Sequence, residues 1–520
     1  MSKTNLNLIQ IARQKTQLRR TALALALTAC GVIGPVLPAA AADSQAKLQA
    51  QVQQLLERMQ KMEQQNADLE RKLREVSAQS APPAQAAKTA QAAVSAVAAS
   101  AAATERVALA EQKHTALQQQ VDEMQTPTAE SEGTEPVFTA SLLAMGQNVN
   151  AGGAASGAQE SRINYRVDLT AELDAGTLGD ARGKVFAQAR FGQGSGLSLV
   201  PSYTSTVNTT AFETSAGPND SFGVLAQIYY QLEWPLGGTG FNESTADRVV
   251  LNIGKMDVFG LFDQNKVAAD EGGQFMNNAF VHNPLLDSGG DIAADAYGFA
   301  PGVRLGYFSR SDANWAWGAS VGVFGAGSDT ATPANNNGAN FSGDLKQPLV
   351  IAQLEISPQQ INGEPRGNYR LYAWTNDATT DLAGQRQSHS GIGLSVDQKV
   401  GRDWNVFGRL GYRTAGDASF DTAVTAGFEY AGKAWGRSKD ALGFAAGVLS
   451  TSKAWRDATA GGALTGYEAS GNESVAELYY RIHLNERLHV SPDLQYIARP
   501  GGNGNAPAIW AVGLRANIGF

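Results

Sequence analysis

Ala508-Ile509-Trp510-Ala511-Val512-Gly513-Leu514-Arg515-Ala516-Asn517-Ile518-Gly519-Phe520 closes the chain, and its side chains alternate. Trp510, Val512, Leu514, Ala516, Ile518 and Phe520 form one apolar face, while Ala511, Gly513, Arg515, Asn517 and Gly519 form a small and polar one. Period two is the signature of a strand with two different surroundings. In hydrocarbon every backbone N–H and C=O must find a partner within the protein, so such a strand crosses a membrane only in a sheet that closes on itself. The polar face then lines a lumen.

The same period recurs upstream, at 136–146, 162–173, 183–193, 222–234, 246–256, 301–309, 314–325, 348–356, 367–376, 389–400, 404–414, 419–430, 441–449, 474–484, 487–497 and 507–520. That gives about sixteen antiparallel strands, an even number of suitable length. Ile163, Tyr165, Val167, Leu169, Ala171 and Leu173, set against Asn164, Arg166, Asp168, Thr170 and Glu172, give the cleanest run. A soluble two-layer core has no use for that second face. The connections alternate between long ones and tight ones such as Gly401 to Asp403 and Asn485-Glu486, as external loops and periplasmic turns do. With the N-terminus in the periplasm, the long set is external.

Charged residues make up only 17% of the 520, and there are 56 glycines. No uninterrupted apolar stretch long enough for a membrane helix follows the N-terminus, which excludes a helical membrane protein. Lys3, Arg13, Lys15, Arg19 and Arg20, the apolar Thr21 to Leu37, and Ala39 to Ala42 read as a signal peptide over 1–42. Leu27-Thr28-Ala29-Cys30 also resembles a lipobox, which leaves open whether Cys30 is acylated or removed. Removing the five positive charges takes the formal net charge from −8 to about −13, so nucleic acid is not an expected partner.

Residues 43–78 place Leu48, Val52, Leu55, Met59, Met62, Asn66, Leu69, Leu73 and Val76 at alternating steps of four and three. This heptad seam predicts a periplasmic α-helical coiled coil, with Asn66 fixing register. An Ala/Gln-rich linker with a second helical segment follows over 79–134, and the barrel domain over 135–520.

The third external connection, about Asp257 to Ala300, is far longer than a plain loop needs to be. Its Asp263, Asn265, Asp270, Glu271, Gln274 and Asn277 are polar enough to line water, and Phe259, Phe262, Phe275 and Phe280 can hold it to the wall. Strand parity turns Arg166, Arg190, Arg304, Arg370, Arg409, Arg413, Arg481 and Arg515 inward. Cations opposite an acidic loop set up a transverse field, and sugar hydroxyls, which donate and accept, replace the water ordered there. Tyr372 and Trp374 share a face with Arg370 and would offer an aromatic plate to a pyranose. The bland reading is that the arginines pair with wall carboxylates and the aromatics belong to the interface girdle. The five histidines, His114, His282, His389, His483 and His489, show no catalytic or metal-binding spacing, so neither enzyme nor cofactor is expected.

Several segments resemble the carbohydrate-selective outer-membrane porins of the OprB type. They are Gly254-Lys255-Met256-Asp257, Phe262-Asp263-Gln264-Asn265, Gln274-Phe275-Met276-Asn277, Pro301 to Tyr307, Asn368 to Trp374, Gly391 to Lys399, Phe407 to Tyr412, Trp435-Gly436-Arg437 with Asp440, and Ser491 to Tyr496. They run in order from about Arg248 onward, and the N-terminal heptads have no counterpart. The resemblance implies a sixteen-stranded barrel passing small sugars through a constriction built by inward loops. It also implies residence in outer-membrane lipid of a Gram-negative cell, and a homotrimer is expected by analogy with porins in general. Alternatives are a general or anion-preferring porin, and an envelope tether that grips the cell wall through the coiled coil.

Overall fold

The computed structural model describes residues 136–204, 206–211, 221–236, 247–286, 298–310, 314–327, 343–358, 366–462 and 464–520. The signal peptide, coiled coil and linker expected over 1–134 lie outside the described residues.

The described chain forms β1 (Val137–Val149), β2 (Glu160–Leu178), β3 (Ala181–Gln193), β4 (Phe222–Leu236), β5 (Asp247–Asp257), β6 (Phe299–Ser309), β7 (Trp315–Gly327) and β8 (Gly343–Pro358). It continues with β9 (Gly367–Asn376), β10 (His389–Val400), β11 (Trp404–Ala415), β12 (Phe420–Ala431), β13 (Ala441–Thr451), β14 (Glu473–His483), β15 (Leu488–Ala498) and β16 (Ile509–Gly519). Each strand pairs with its sequence neighbours, and β1 pairs with β16, so the sheet is a closed antiparallel barrel. The seam runs from Ser141 opposite Gly519 to Val149 opposite Ala511. At its end the Phe520 N–H donates to the Ala140 carbonyl at 2.8 Å. Closure matters because it leaves no strand edge with unpaired backbone groups.

The alternation expected of β16 is present. Trp510, Val512 and Leu514 are exposed on the outer face, while Ala511 and Arg515 are buried inside. The same holds at mid-height across the barrel, where Leu305, Val321, Leu354, Leu371, Leu394, Leu410 and Val424 all face outward and are exposed. An apolar outer band and a polar interior are the inverse of a soluble core.

The strands agree with the sequence reading to within a few residues, with two informative exceptions. β2 runs on to Leu178 because the β2–β3 hairpin continues past a register shift at Asp174 to Thr177, where Asp174 pairs with Arg182 at 3.4 Å. β8 begins at Gly343, since its first residues pair with β7 beyond another shift at Phe324 to Ala326. Bulges of this kind hide strand ends from a simple period count. Tight turns at 179–180, 401–403 and 484–487 alternate with the longer connections at 194–221, 258–298 and 452–472.

Candidate functional site in the barrel lumen

Residues 258–286, the described part of the connection between β5 and β6, turn inward instead of away from the barrel. Asp257 ends β5 and caps a one-turn helix, α1 (Val258–Leu261), its Oδ1 accepting from the Phe259 N–H at 2.9 Å. Asn277 caps a second, α2 (Asn278–Val281), through Oδ1 and the Ala279 N–H at 3.0 Å. Phe259, Phe262, Phe275 and Phe280 are all buried, with Phe275 packed against Phe407 at 5.5 Å and edge-on to Tyr479 at 5.0 Å between ring centroids. Phe275, together with Phe262 edge-on to Phe324 of β7, holds the segment to the wall, as its composition suggests, and Phe280 packs on Phe275.

Polar contacts fix the first half of the loop to β8 through β11. Asp263 stands in the left-handed region at φ 57°, a conformation that a non-glycine residue keeps only when its surroundings impose it. Here they do. Its backbone N–H donates to Gln353 Oε1 at 3.0 Å, its carboxylate pairs with Arg409 Nε at 3.1 Å, and the same carboxylate accepts from Tyr372 Oη and the Asn283 N–H. Arg409 also donates to the carbonyls of Asp263 and Phe280. One residue on, Arg370 donates to the Gln264 carbonyl at 2.9 Å and to Asp397 at 3.1 Å, while Asn265 Nδ2 donates to Ser395 Oγ and the Val396 carbonyl.

The second half is fixed to the other side, on β14 through β16 and β2. Arg515 donates to the Glu271 carbonyl at 2.7 Å, Asn517 to that of Gly272 at 3.1 Å, and Arg481 to that of Gly273 at 2.6 Å. The two carboxylate oxygens of Glu477 accept from the backbone N–H groups of Met276 and Asn277 at 2.6 and 2.8 Å. Glu271 pairs with Arg166 at 2.7 Å, and Asp168 joins Arg166 to Arg190 at 2.9 and 2.7 Å. Burial pushes the Glu271 carboxyl upward, but the Arg166 and Arg190 guanidiniums outweigh it and hold it at about 2. The loop therefore spans the bore, with ionic contacts on both shores.

A second inward segment was not legible from length alone. In the β3–β4 connection, Tyr203, Thr204, Val207, Asn208 and Thr210 are buried. Gln495 and Gln147 donate to the Val207 carbonyl, Asn278 donates its N–H to Thr206, and Glu473 accepts from the N–H groups of Tyr203 and Thr204. This segment backs the third connection from behind.

With the geometry in view, comparison with known proteins is decisive. The model of the carbohydrate-selective porin, OprB family, matches residues 164–520. The chain belongs to the OprB family of carbohydrate-selective porins. It is 24% identical over 309 residues to Porin B of Pseudomonas aeruginosa, a match covering 51% of this chain and 65% of Porin B. A high-pH structure of Pseudomonas putida OprB superposes with a TM-score of 0.57 at 20% identity, covering 74% of this chain and 94% of that one, so the barrel fold is shared.

In this porin the residues singled out from the sequence fall into groups. Asp263, Arg409 and Tyr372 meet in one cluster, and Arg370 and Asn265 are joined in the next through Ser395 and the Gln264 carbonyl, which accepts from both Arg370 and Ser395. Glu271 reaches the opposite wall, while Asp270 and Gln274 shape the loop tip, with Asp270 Oδ1 accepting from the Gly272 N–H and Gln274 from the N–H groups of Ala269 and Asp270. Asn277 donates to Gln495 at 3.0 Å. Arg304 stands apart, bonded to Asn252 and Ser320 with its guanidinium over the rings of Phe262 and Phe308. Arg413 lies by His389 at 2.7 Å.

The expectation that Tyr372 and Trp374 offer an open plate is corrected. Their exposures are 2% and 3%, and the loop lies over Tyr372, whose hydroxyl donates to Asp263 and accepts from Asn283. Both rings also press on β10, where Cβ atoms added at Gly393 and Gly391 would come within 2.2 Å of the Tyr372 and Trp374 rings. Tyr372 is part of the seat of the loop. The arginines likewise are mostly paired, since burial of a guanidinium demands an acceptor. Parity reads Arg166 as an inward cation facing the loop, whereas Glu477, which receives two loop N–H groups, and Asp168, which orients Arg166, were missed, although alternation on β14 and β2 carried the signal.

Proposed function

We propose that this porin is an outer-membrane channel through which small carbohydrates diffuse, and that the β5–β6 connection together with the inward arginines forms its constriction. The observation that carries the reading is the loop tied to both shores of the bore, by Asp263 to Arg409 on one side and by Glu271 to Arg166 on the other. A segment so held cannot drift, and what passes must do so between it and the remaining wall. Membership of the carbohydrate-selective family and the shared OprB fold support sugars as the cargo.

The physical basis is exchange of hydrogen bonds. A hydrated wall of fixed guanidinium donors and carboxylate acceptors holds ordered water, and a sugar replaces that water with its own hydroxyls at little net cost. A homotrimer, by general analogy with porins, and contact with the cell wall through the heptads of residues 43–78 belong to the same proposal.

Proteoliposome swelling tests it. Swelling in glucose should outpace swelling in uncharged non-sugars of equal size. Equal rates at equal size would identify a general pore, and faster entry of small anions than of glucose an anion-preferring one.

A further inference from the structure

On the bore side of the third connection, between the start of α1 and the loop tip, lies a cavity of about 370 Å³. One wall is a ring pair, Phe259 and His282, stacked with centroids 3.7 Å apart and planes within 2°. Phe259 lies in α1 and His282 directly follows α2, so the stack is a tertiary contact between the two turns. Around it stand Asp257, Gln264, Lys266 and Arg370. Asp257 and Gln264 supply acceptors, and Lys266, exposed, supplies an ammonium. Gln264 is itself held, donating from Nε2 to the Gly260 carbonyl, and Arg370 is fixed by Asp397.

A concave site with one flat π wall and a rim of both donors and acceptors suits a molecule with an apolar ring face and hydroxyl edges. Its volume sits near the low end of the roughly 300–1,000 Å³ usual for small-molecule pockets, which fits a single sugar ring. We infer that the Phe259–His282 stack and Lys266 form a docking subsite for one neutral pyranose ring, carried by the loop itself and bordered by Arg370 of β9. The inference rests on the sugar-channel reading and deepens it. The ring-shaped cargo is recognised by the loop, whereas an open-chain polyol of the same size has no continuous C–H face to lay on the stack.

The test is block of single-channel current in planar bilayers by glucose, with sorbitol as the open-chain counterpart. It is run on the full chain and on His282→Ala, Lys266→Met and, as a reference far from the bore, Lys453→Met in the exposed helix α3 (Lys453–Thr459). Glucose should block the unaltered channel at lower concentration than sorbitol. His282→Ala and Lys266→Met should each raise the half-blocking glucose concentration by about threefold to tenfold, as loss of one stacking or one charged hydrogen-bond contact does. Lys453→Met should leave it unchanged. If His282→Ala does not assemble, Lys266→Met, which alters an exposed side chain, and the glucose-to-sorbitol ratio still decide. Glucose block unchanged in both bore variants, or sorbitol equal to glucose, would overturn the subsite while leaving the channel reading intact. Failure of glucose to block or permeate the unaltered channel would remove the channel reading itself.

Discussion

Arg409 shows how one side chain carries a loop. Its guanidinium pairs with the Asp263 carboxylate and donates to two loop carbonyls, all in a buried setting. Removing one member of a buried pair leaves the other charged and unsolvated, at a cost of about 3–5 kcal/mol. Arg409→Met should therefore lower the unfolding free energy of the detergent-solubilised barrel by about that amount, measured by urea titration with gel mobility as the readout. A change within experimental scatter would mean that the Asp263 contact is incidental. Glu271 adds a pH signature. Its folded-state carboxyl sits at about 2, below the ordinary 4.5, so its contribution is complete above about 4.5 and is lost as the pH falls through about 2. The Arg166–Glu271 contact should therefore alter channel conductance only on acidification below that ordinary value. A transition centred near pH 6 would assign control of the loop to another group. At this scale the sequence was legible where parity decides: the arginines face inward. It misled at Tyr372 and Trp374, because period two reports which face a ring is on and not what later packs against it.

The element that distinguishes this barrel from a plain tube is the β5–β6 connection, tied down by Phe262 and Phe275 and by donors and acceptors on β2, β8 to β11, β14 and β16. Its length and its polar-aromatic composition marked it in the sequence. The β3–β4 segment that backs it was not marked, since Tyr203, Val207 and Asn208 sit in a stretch rich in Ser, Thr and Gly that reads like any surface loop. Only the acceptors that receive it, Glu473 among them, would have hinted at a partner. Shortening the connection between Val267 and Phe275 removes the Arg166 contact and the tip while leaving Asp263 in place. Single-channel conductance should then rise several-fold and the preference for glucose over size-matched polyols should vanish. Unaltered conductance would show that the narrowest point lies elsewhere.

At the scale of the whole molecule, sixteen strands close because each meets its neighbours and the last meets the first, from Ser141 to Val149 along β16. That much could be read from alternation, since a membrane strand must hide its backbone and expose its apolar side chains at the same time. What alternation could not give is the content of the bore, because a polar inner face is equally compatible with an open pipe and with a barrel crossed by a loop. The account stands on a water-filled passage, narrowed by that loop, which sugars enter. The measurement that bears on it most directly is the conductance of single purified channels as glucose is added in graded amounts. The prediction is discrete open steps whose current falls saturably with glucose, beyond the fall in bulk conductivity. Absence of steps, or a current that merely tracks the bulk solution, would contradict it.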